Sequence, residues 1–444
     1  MSLRRGLLLL YIVCFTLAGQ RVSGGEVPSS NLVFHVKWGE ADQTGLALAN
    51  PTNRVANLAL FLLNNDGTLA DPLGREMVIQ PNQQRAVVLT DIFPNVVEVE
   101  GFIFAISDNI GVVGFFLTFA PDVSQIDGAE ASLFNILPRS LIFPELLSGN
   151  GESTELNVII RSDSPNPPPN FTLNFDLCGA DGTCATETRE IPPGPTGLAR
   201  FSGTVASLFQ GQAPAGESLF DQSYVTVTVP NGLVSGYQEF RSENFRGGRN
   251  ALQLRGGSTR PFSLFGAQVA DTSDITSDVT LINPTDLPVT LNVSVFPTGS
   301  SEEAVLATAS IVLPAGGVVK RNLRQLVVDL PEGDLVGWIR VDSDVSNIVG
   351  NVTFGDVERT FLSSVQMQGS PQAEVLYSHL ADGLGFFTGL TFLNITPDLI
   401  KVGIEVFDPA RAQHALDQEK ERWIQAFVPS RAGSRSGGAG AAGI

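Results

Sequence analysis

TGLALANPT, residues 44–52, returns as SDVTLINPT at 277–285 and again as TGLTFLNIT at 388–396. Its apolar residues fall on every second position: Leu46 and Leu48, Leu156 and Val158, Val279 and Leu281, Leu390 and Phe392. That spacing puts one face of a β-strand inward, because side chains alternate across a strand, whereas a helix needs a period of 3.6. A second alternating run follows each time, with inward triplets Leu58, Leu60, Leu62; Phe171, Leu173, Phe175; Leu291, Val293, Val295; and Val402, Ile404, Val406. A unit of about 110 residues repeated in this way predicts an all-β fold, a tandem array of immunoglobulin-like β-sandwich modules, with the last module incomplete.

Working outward, Gly101 to Phe115 aligns without a gap on Ser223 to Tyr237 and again from Gly337 to Gly350, so that Gly114, Gly236 and Gly350 coincide. A glycine held there points to a bulge or a close backbone approach. The first copy contains about seven strands, near 32–37, 44–50, 55–64, 75–80, 85–89, 99–107 and 111–119, the number of an immunoglobulin-like sandwich. The pattern restarts at Phe34, Phe143, Phe265 and Tyr377, each opening a first strand. The predicted modules are therefore 25–130, 140–245, 261–368 and a partial fourth at 374–408, with linkers near 121–140, 244–260 and 366–373. The middle linker, within ENFRGGRNALQLRGGSTR, is basic and glycine-rich and reads as a solvated joint. Beyond Phe407, ARAQHALDQEKERWIQAF (410–427) reads as helix and is followed by a Gly/Ala/Ser tail. Three strands cannot close a sandwich, so the fourth module is expected to be truncated or completed by another chain.

Residues 1–24 read as a secretory signal: Arg4 and Arg5, then GLLLLYIVCFTLAG, then small residues near Ser23 and Gly24. No later run approaches about 18 apolar residues, so no membrane insertion is expected after signal cleavage. The expected location is secreted, periplasmic or cell-surface. The formal charge of −19 grows more negative without Arg4, Arg5 and Arg21 of the leader, and the lysines are only Lys37, Lys320, Lys401 and Lys420. Such a surface repels nucleic acid and anionic lipid.

Acid–base and metal chemistry have little to work with in three histidines, and no HExxH, GxSxG, Walker or GxGxxG pattern sits on a strand-to-helix junction. The chain is therefore expected not to be an enzyme and to need no cofactor. Asp271, Asp274 and Asp278 cluster in one turn, but their spacing matches no EF-hand and reads as a solvated acidic turn. Cys178 and Cys184 flank the GADGT turn, which matches NNDGT at 64–68, and are predicted to form a disulfide. The sequons at Asn170, Asn292, Asn351 and Asn394 matter only in a eukaryotic secretory pathway.

TGLALANPT, followed by NLALFLLNNDGT and a PNQQ-type turn, resembles the uncharacterised Ig-like repeats of exported bacterial proteins over most of residues 32–408. The resemblance implies a sandwich fold, an extracytoplasmic location and no known active site. The expected function is a structural, adhesive or protein-interaction array. Two alternatives are a carbohydrate-binding array and an accessory region of an extracellular hydrolase. The candidate binding surface is the outward aromatic position shared by Phe102, Tyr224 and Trp338. In the first copy Phe104 and Ile106 extend it into an apolar face too large to remain bare. The second module, the segment around Phe134, Ile136 and Leu137, a second copy of the chain or another protein is expected to cover it.

Overall fold

A computed structural model describes residues 30–147, 151–164, 166–210, 222–253, 262–300 and 304–370, with shorter pieces between 372 and 428. The leader, His379, His414 and the sequence predictions for 405–423 and 429–444 lie outside the described residues.

Three successive β-sandwiches share one topology, and every strand pairing is antiparallel. The first module runs β1 (Ser30–Trp38), β2 (Gln43–Asn50), β3 (Ala56–Asn64), β4 (Arg75–Ile79), β5 (Gln83–Val88), β6 (Val99–Ser107), β7 (Val113–Phe119), β8 (Ile126–Glu130) and β9 (Ser132–Leu133). Its first sheet has the order β4-β3-β6-β1-β9 and its second β5-β2-β7-β8. The second module repeats this with β10 (Ser140–Phe143), β11 (Ser153–Arg161), β12 (Phe171–Gly179), β13 (Cys184–Ile191), β14 (Leu198–Thr204), β15 (Ser223–Thr228), β16 (Leu233–Arg241), β17 (Arg246–Asn250) and β18 (Leu252–Gln253). Its sheets are β13-β12-β15-β10-β18 and β14-β11-β16-β17. The third follows with β19 (Phe262–Asp271), β20 (Ile275–Ile282), β21 (Val289–Pro297), β22 (Ala307–Leu313), β23 (Val318–Asn322), β24 (Leu335–Ser343), β25 (Val349–Asp356) and β26 (Leu362–Gln366). Its sheets are β19-β24-β21-β22 and β23-β20-β25-β26.

The inner pairs β2–β5 and β3–β6 are those of an immunoglobulin domain, but the first and seventh strands have exchanged sheets: β1 pairs with β6, and β7 with β2. The short connection between β6 and β7 therefore crosses the sandwich.

The alternating runs fill three separate cores, and Leu48, Leu60, Val158, Leu173, Leu281 and Leu291 are all fully buried. The NPT motif has a local cause. Asn50 Oδ1 accepts from the Thr52 amide and hydroxyl, while its Nδ2 donates to the carbonyls of Ile79 and Gln80 at 3.1 and 3.2 Å. Asn283 repeats this with Thr285 and with the Pro314 carbonyl at 2.7 Å, so one amide staples the turn after the second strand to the end of the fourth. The shared glycines admit a crossing chain. The amides of Ala131, Ala251 and Met367 donate to the carbonyls of Gly114, Gly236 and Gly350 at 2.8, 2.8 and 2.9 Å. A Cβ on Gly114 would meet the Phe34 ring at 2.6 Å.

Several expectations need correction. The predicted linkers hold strands: β8 and β9 lie within 121–140, β17 and β18 within 244–260, and the Gln368 bridge to Phe265 within 366–373. The crossing at each shared glycine requires this return. The restart residues do not open strands: Phe34 is mid-strand, Phe143 ends β10, and Tyr377 is exposed and outside any strand. Phe265 faces outward because Leu264 takes the core position. Ile424–Val428, read as the end of a helix, is a strand paired with Ile400–Ile404. No helix among the described residues is long and apolar enough to cross a membrane.

Candidate functional site: the module interfaces

Consecutive modules stack sheet on sheet. In the first two modules the outer face of the first sheet meets the outer face of the next module's second sheet, and three equivalent positions in each of the three modules supply the contact. In the first module these are Val33, Leu63 and Phe102, which pack on Ile159, Leu198 and Leu233 of the second. In the second they are Ile142, Cys178 and Tyr224, packed on Ile282, Val318 and Val349 of the third. In the third they are Phe265, Phe296 and Trp338, packed on Leu393 and Ile395. Phe296 and Trp338 stack with ring centroids 3.8 Å apart.

A glycine turn sits beside each of the first two contacts. Gly67 (φ +73°) of the NNDGT turn lies on the backbone of the second module, where a Cβ would fall 2.1 Å from the Leu198 carbonyl oxygen. Gly182 (φ +80°) repeats this on the third module, 1.9 Å from the Ala315 oxygen. Positive φ and close approach both require glycine. Hydrogen bonds pin the turns: the Arg200 amide donates to the Asn65 carbonyl at 2.7 Å, and the Tyr224 hydroxyl to the Gly316 carbonyl at 2.9 Å. Burial, with the nearby Asp176 charge, pushes the Tyr224 phenol up to about 12, so it remains a donor.

Opposite charges bridge the first interface. Lys37, at the end of β1, donates to Glu155 at 2.7 Å and to Glu239 at 2.8 Å in the second module. Arg241 donates to Glu239 at 2.8 Å, and Arg246 reaches back to Asp42 at 2.6 Å. Burial works against ionised Glu155, but the charge and hydrogen bond of Lys37 outweigh it and hold the carboxyl below its usual range. His35 is buried between Tyr237 and Phe116, at 5.4 and 5.7 Å between ring centroids. Desolvation first, then the charges of Arg200 and Lys37, drives its pKa well down, so the imidazole is neutral. Asp127 accepts from the Tyr237 hydroxyl, yet burial dominates and its pKa is pushed up to about 7.

The second interface holds a buried ion pair of its own. Here the second module supplies the acid, Glu145, which is 1% exposed and paired with Lys320 of the third. Glu145 also accepts from Thr353 at 3.0 Å and Thr280 at 3.3 Å. Arg249 adds a buried contact to Asn351, and burial lowers its guanidinium to about 10 against the pull of Glu145. At the third contact the pair is neutral, with the Thr391 hydroxyl 2.5 Å from Gln268 Oε1.

The candidate surface residues thus lie at interfaces. Phe102 and Tyr224 are 0% and 2% exposed and Trp338 is 6% exposed, which leaves none of them on an open face for stacking a sugar. Periodicity turns these rings away from their own core, but the neighbouring module covers them. Phe104 is also buried, 4.8 Å from the Phe134 ring, and Ile106 packs against the same cluster. Phe134 and Leu137 join that cover, whereas Ile136 is 64% exposed. Cys178 and Cys184 are joined in a disulfide directly across β12 and β13, with Cys178 inside the second interface. Asp271 pairs with Arg324 and Asp278 faces Lys320 and Glu145, so the acidic turn does not converge on a cation site. Among the described residues no group of three or more His, Cys, Asp or Glu side chains is placed to hold a metal. Asn351 is buried and Asn394 7% exposed, whereas Asn170 and Asn292 are exposed.

Arg200, Arg246 and Arg249 escaped the sequence reading. Arg246 and Arg249 stood in the supposed joint, where the signal was a pair of arginines around Gly247-Gly248 in an acidic chain. A Cβ on Gly248 would lie 2.2 Å from Asp127 Oδ2, which marks that glycine as a site of close approach.

No family model matches the chain, and no curated protein does. A solved structure, that of infectious bursal disease virus Gx strain, aligns at 9% identity over 76% of this chain and 75% of that chain with a TM-score of 0.13, too weak a likeness to inform fold or function.

Proposed function

We propose that the chain is a non-catalytic structural array whose modules are held in fixed order and orientation. One observation carries this reading: the first sheets of modules 1 and 2 are buried on the next module, and the equivalent residues of module 3 on Leu393 and Ile395, with a different polar pairing at each contact. Flexible tandem domains typically meet through small, polar interfaces, whereas these bury aromatic rings and ion pairs. The Cys178–Cys184 disulfide supports an oxidising compartment, and together with the leader-like residues 1–24 it favours an exported protein that presents its outer loops to a protein partner.

Small-angle scattering of the full chain tests the rigidity. The expected profile is that of one compact conformation, unchanged between low and moderate salt because the ion pairs are buried. A profile that requires a broad ensemble of module orientations refutes the proposal. Mass spectrometry of the exported chain, showing a new N-terminus near residue 24, tests the location.

A further inference from the structure

The Cys178–Cys184 disulfide sits where the first module places an apolar pair. The turn GADGT (179–183) matches NNDGT (64–68), which puts Cys178 and Cys184 at the positions of Leu63 and Leu69, and those leucines face each other across the same kind of bridge. The first sandwich forms its core with leucines there, so a covalent bond is not what closes this fold. Its effect is local to the turn.

That turn is a contact with the third module. A Cβ on Gly182 would fall 1.9 Å from the Ala315 oxygen, and one on Gly317 would fall 2.9 Å from the Ala180 oxygen, so each turn presses on the backbone of the other. Cys178 packs with Tyr224 on Ile282 and Val318, and Tyr224, its partner on β15, donates to the Gly316 carbonyl. Sequence weakens this turn relative to its counterpart. In the first module Asn64 Nδ2 donates to Thr68 Oγ1 at 3.0 Å, and Asn65 Oδ1 accepts from Arg200 of the second module at 2.6 Å. Gly179 and Ala180 replace both asparagines and carry neither amide. The disulfide, with a sequence separation of 6, closes the turn in their stead. A loop closed covalently opens less often, because its open ensemble is smaller.

We infer that the Cys178–Cys184 bond is a redox latch on the contact between the second and third modules, which a dithiol reductant opens, freeing 179–183 from 314–317 while both sandwiches stay folded. Cys184 lies on the exposed side of the pair and Cys178 on the buried side. A reductant thiolate attacks Cys184 Sγ, and Cys178 leaves as a thiolate and takes up a proton. The second thiol of the reductant then displaces Cys184, so that two protein thiols form and the reductant ends as a disulfide. The latch requires only this contact and holds whether or not the array is rigid as a whole.

Hydrogen exchange of the full chain, with and without a dithiol reductant, reads the latch, and alkylation with mass spectrometry counts the thiols at Cys178 and Cys184. On reduction the amides of 179–183 and of 315–317 should exchange at least about tenfold faster, while those of 171–175 and of the Gly67 turn keep their rates. The full chain carrying Cys178→Ala and Cys184→Ser should exchange at the faster rate in both conditions; if it does not fold, the wild-type comparison decides by itself. The latch is supported if reduction accelerates 179–183 and 315–317 alone. It is refuted if the bond survives the reductant in the folded chain, if 315–317 keep their rates on reduction, if 171–175 accelerate equally, or if the folded double variant still responds to the reductant.

Discussion

Removing the Glu145 carboxylate should unlock the second interface, and restoring balance by also removing Lys320 should recover much of the loss. Glu145 is 1% exposed, and the Lys320 side chain is 12% exposed. Glu145→Ala removes the carboxylate that pairs with the Lys320 ammonium and deprives Thr353 and Thr280 of an acceptor. Removing one partner of a buried ion pair costs about 3–5 kcal/mol. Lys320→Ala strands the carboxylate and should cost about 3 kcal/mol by the same argument. The double variant buries neither charge, so its loss should stay near that of one single change and the coupling should reach about 3 kcal/mol. Urea unfolding followed at Trp338, with Trp38 and Trp423 replaced by Phe, measures all three. The denaturant slope should hold constant if only stability changes. A coupling below about 0.5 kcal/mol, the usual additivity error, refutes the bridge.

Phe104→Glu should separate modules 1 and 2, because the ring is buried against Phe134 and a carboxylate there is desolvated; a loss of about 4 kcal/mol follows from the ring alone, read as an enlarged scattering radius with the first sandwich still folded. Unfolding of that module with no prior separation refutes this. Gly182→Ala meets both a positive φ and the Ala315 oxygen, so it should cost more than the roughly 1–3 kcal/mol of conformational strain alone, whereas Gly333→Ala, with nothing nearby, should cost only that strain; equal shifts in Tm count against the clasp. Asp127 binds its proton more tightly folded (about 7) than unfolded (about 4), so its contribution to stability is complete below pH about 4, declines as the pH rises toward 7 and is lost above it. Asp127→Asn should flatten that part of the stability-versus-pH curve, and an unchanged slope excludes Asp127 as its source.

The sequence by itself determined the sandwich: a period of two, recurring with NPT and DG turns, specifies which side of each strand enters a core, and Leu48, Leu60, Leu281 and Leu291 sit there. It also placed Cys178 beside Cys184, because a short turn brings neighbouring residues together whatever the rest of the chain does. It could not say what lies against the opposite face. Alternation assigns Phe102, Tyr224 and Trp338 to the outside of their own modules, and only stacking decides that this outside is an interior of the array. The arginines of the supposed joint show the same limit. Arg246 pairs with Asp42 from 204 residues away, and Lys37 with Glu239 from 202, separations over which no local pattern carries a signal. In Ile424–Val428 the polar stretch before it suggested a helix, but a strand is set by its partner, and the edge of Ile400–Ile404 supplies the hydrogen bonds. Local sequence dictates which way each strand faces; the pairing of distant faces and charges exists only once the modules are folded and stacked.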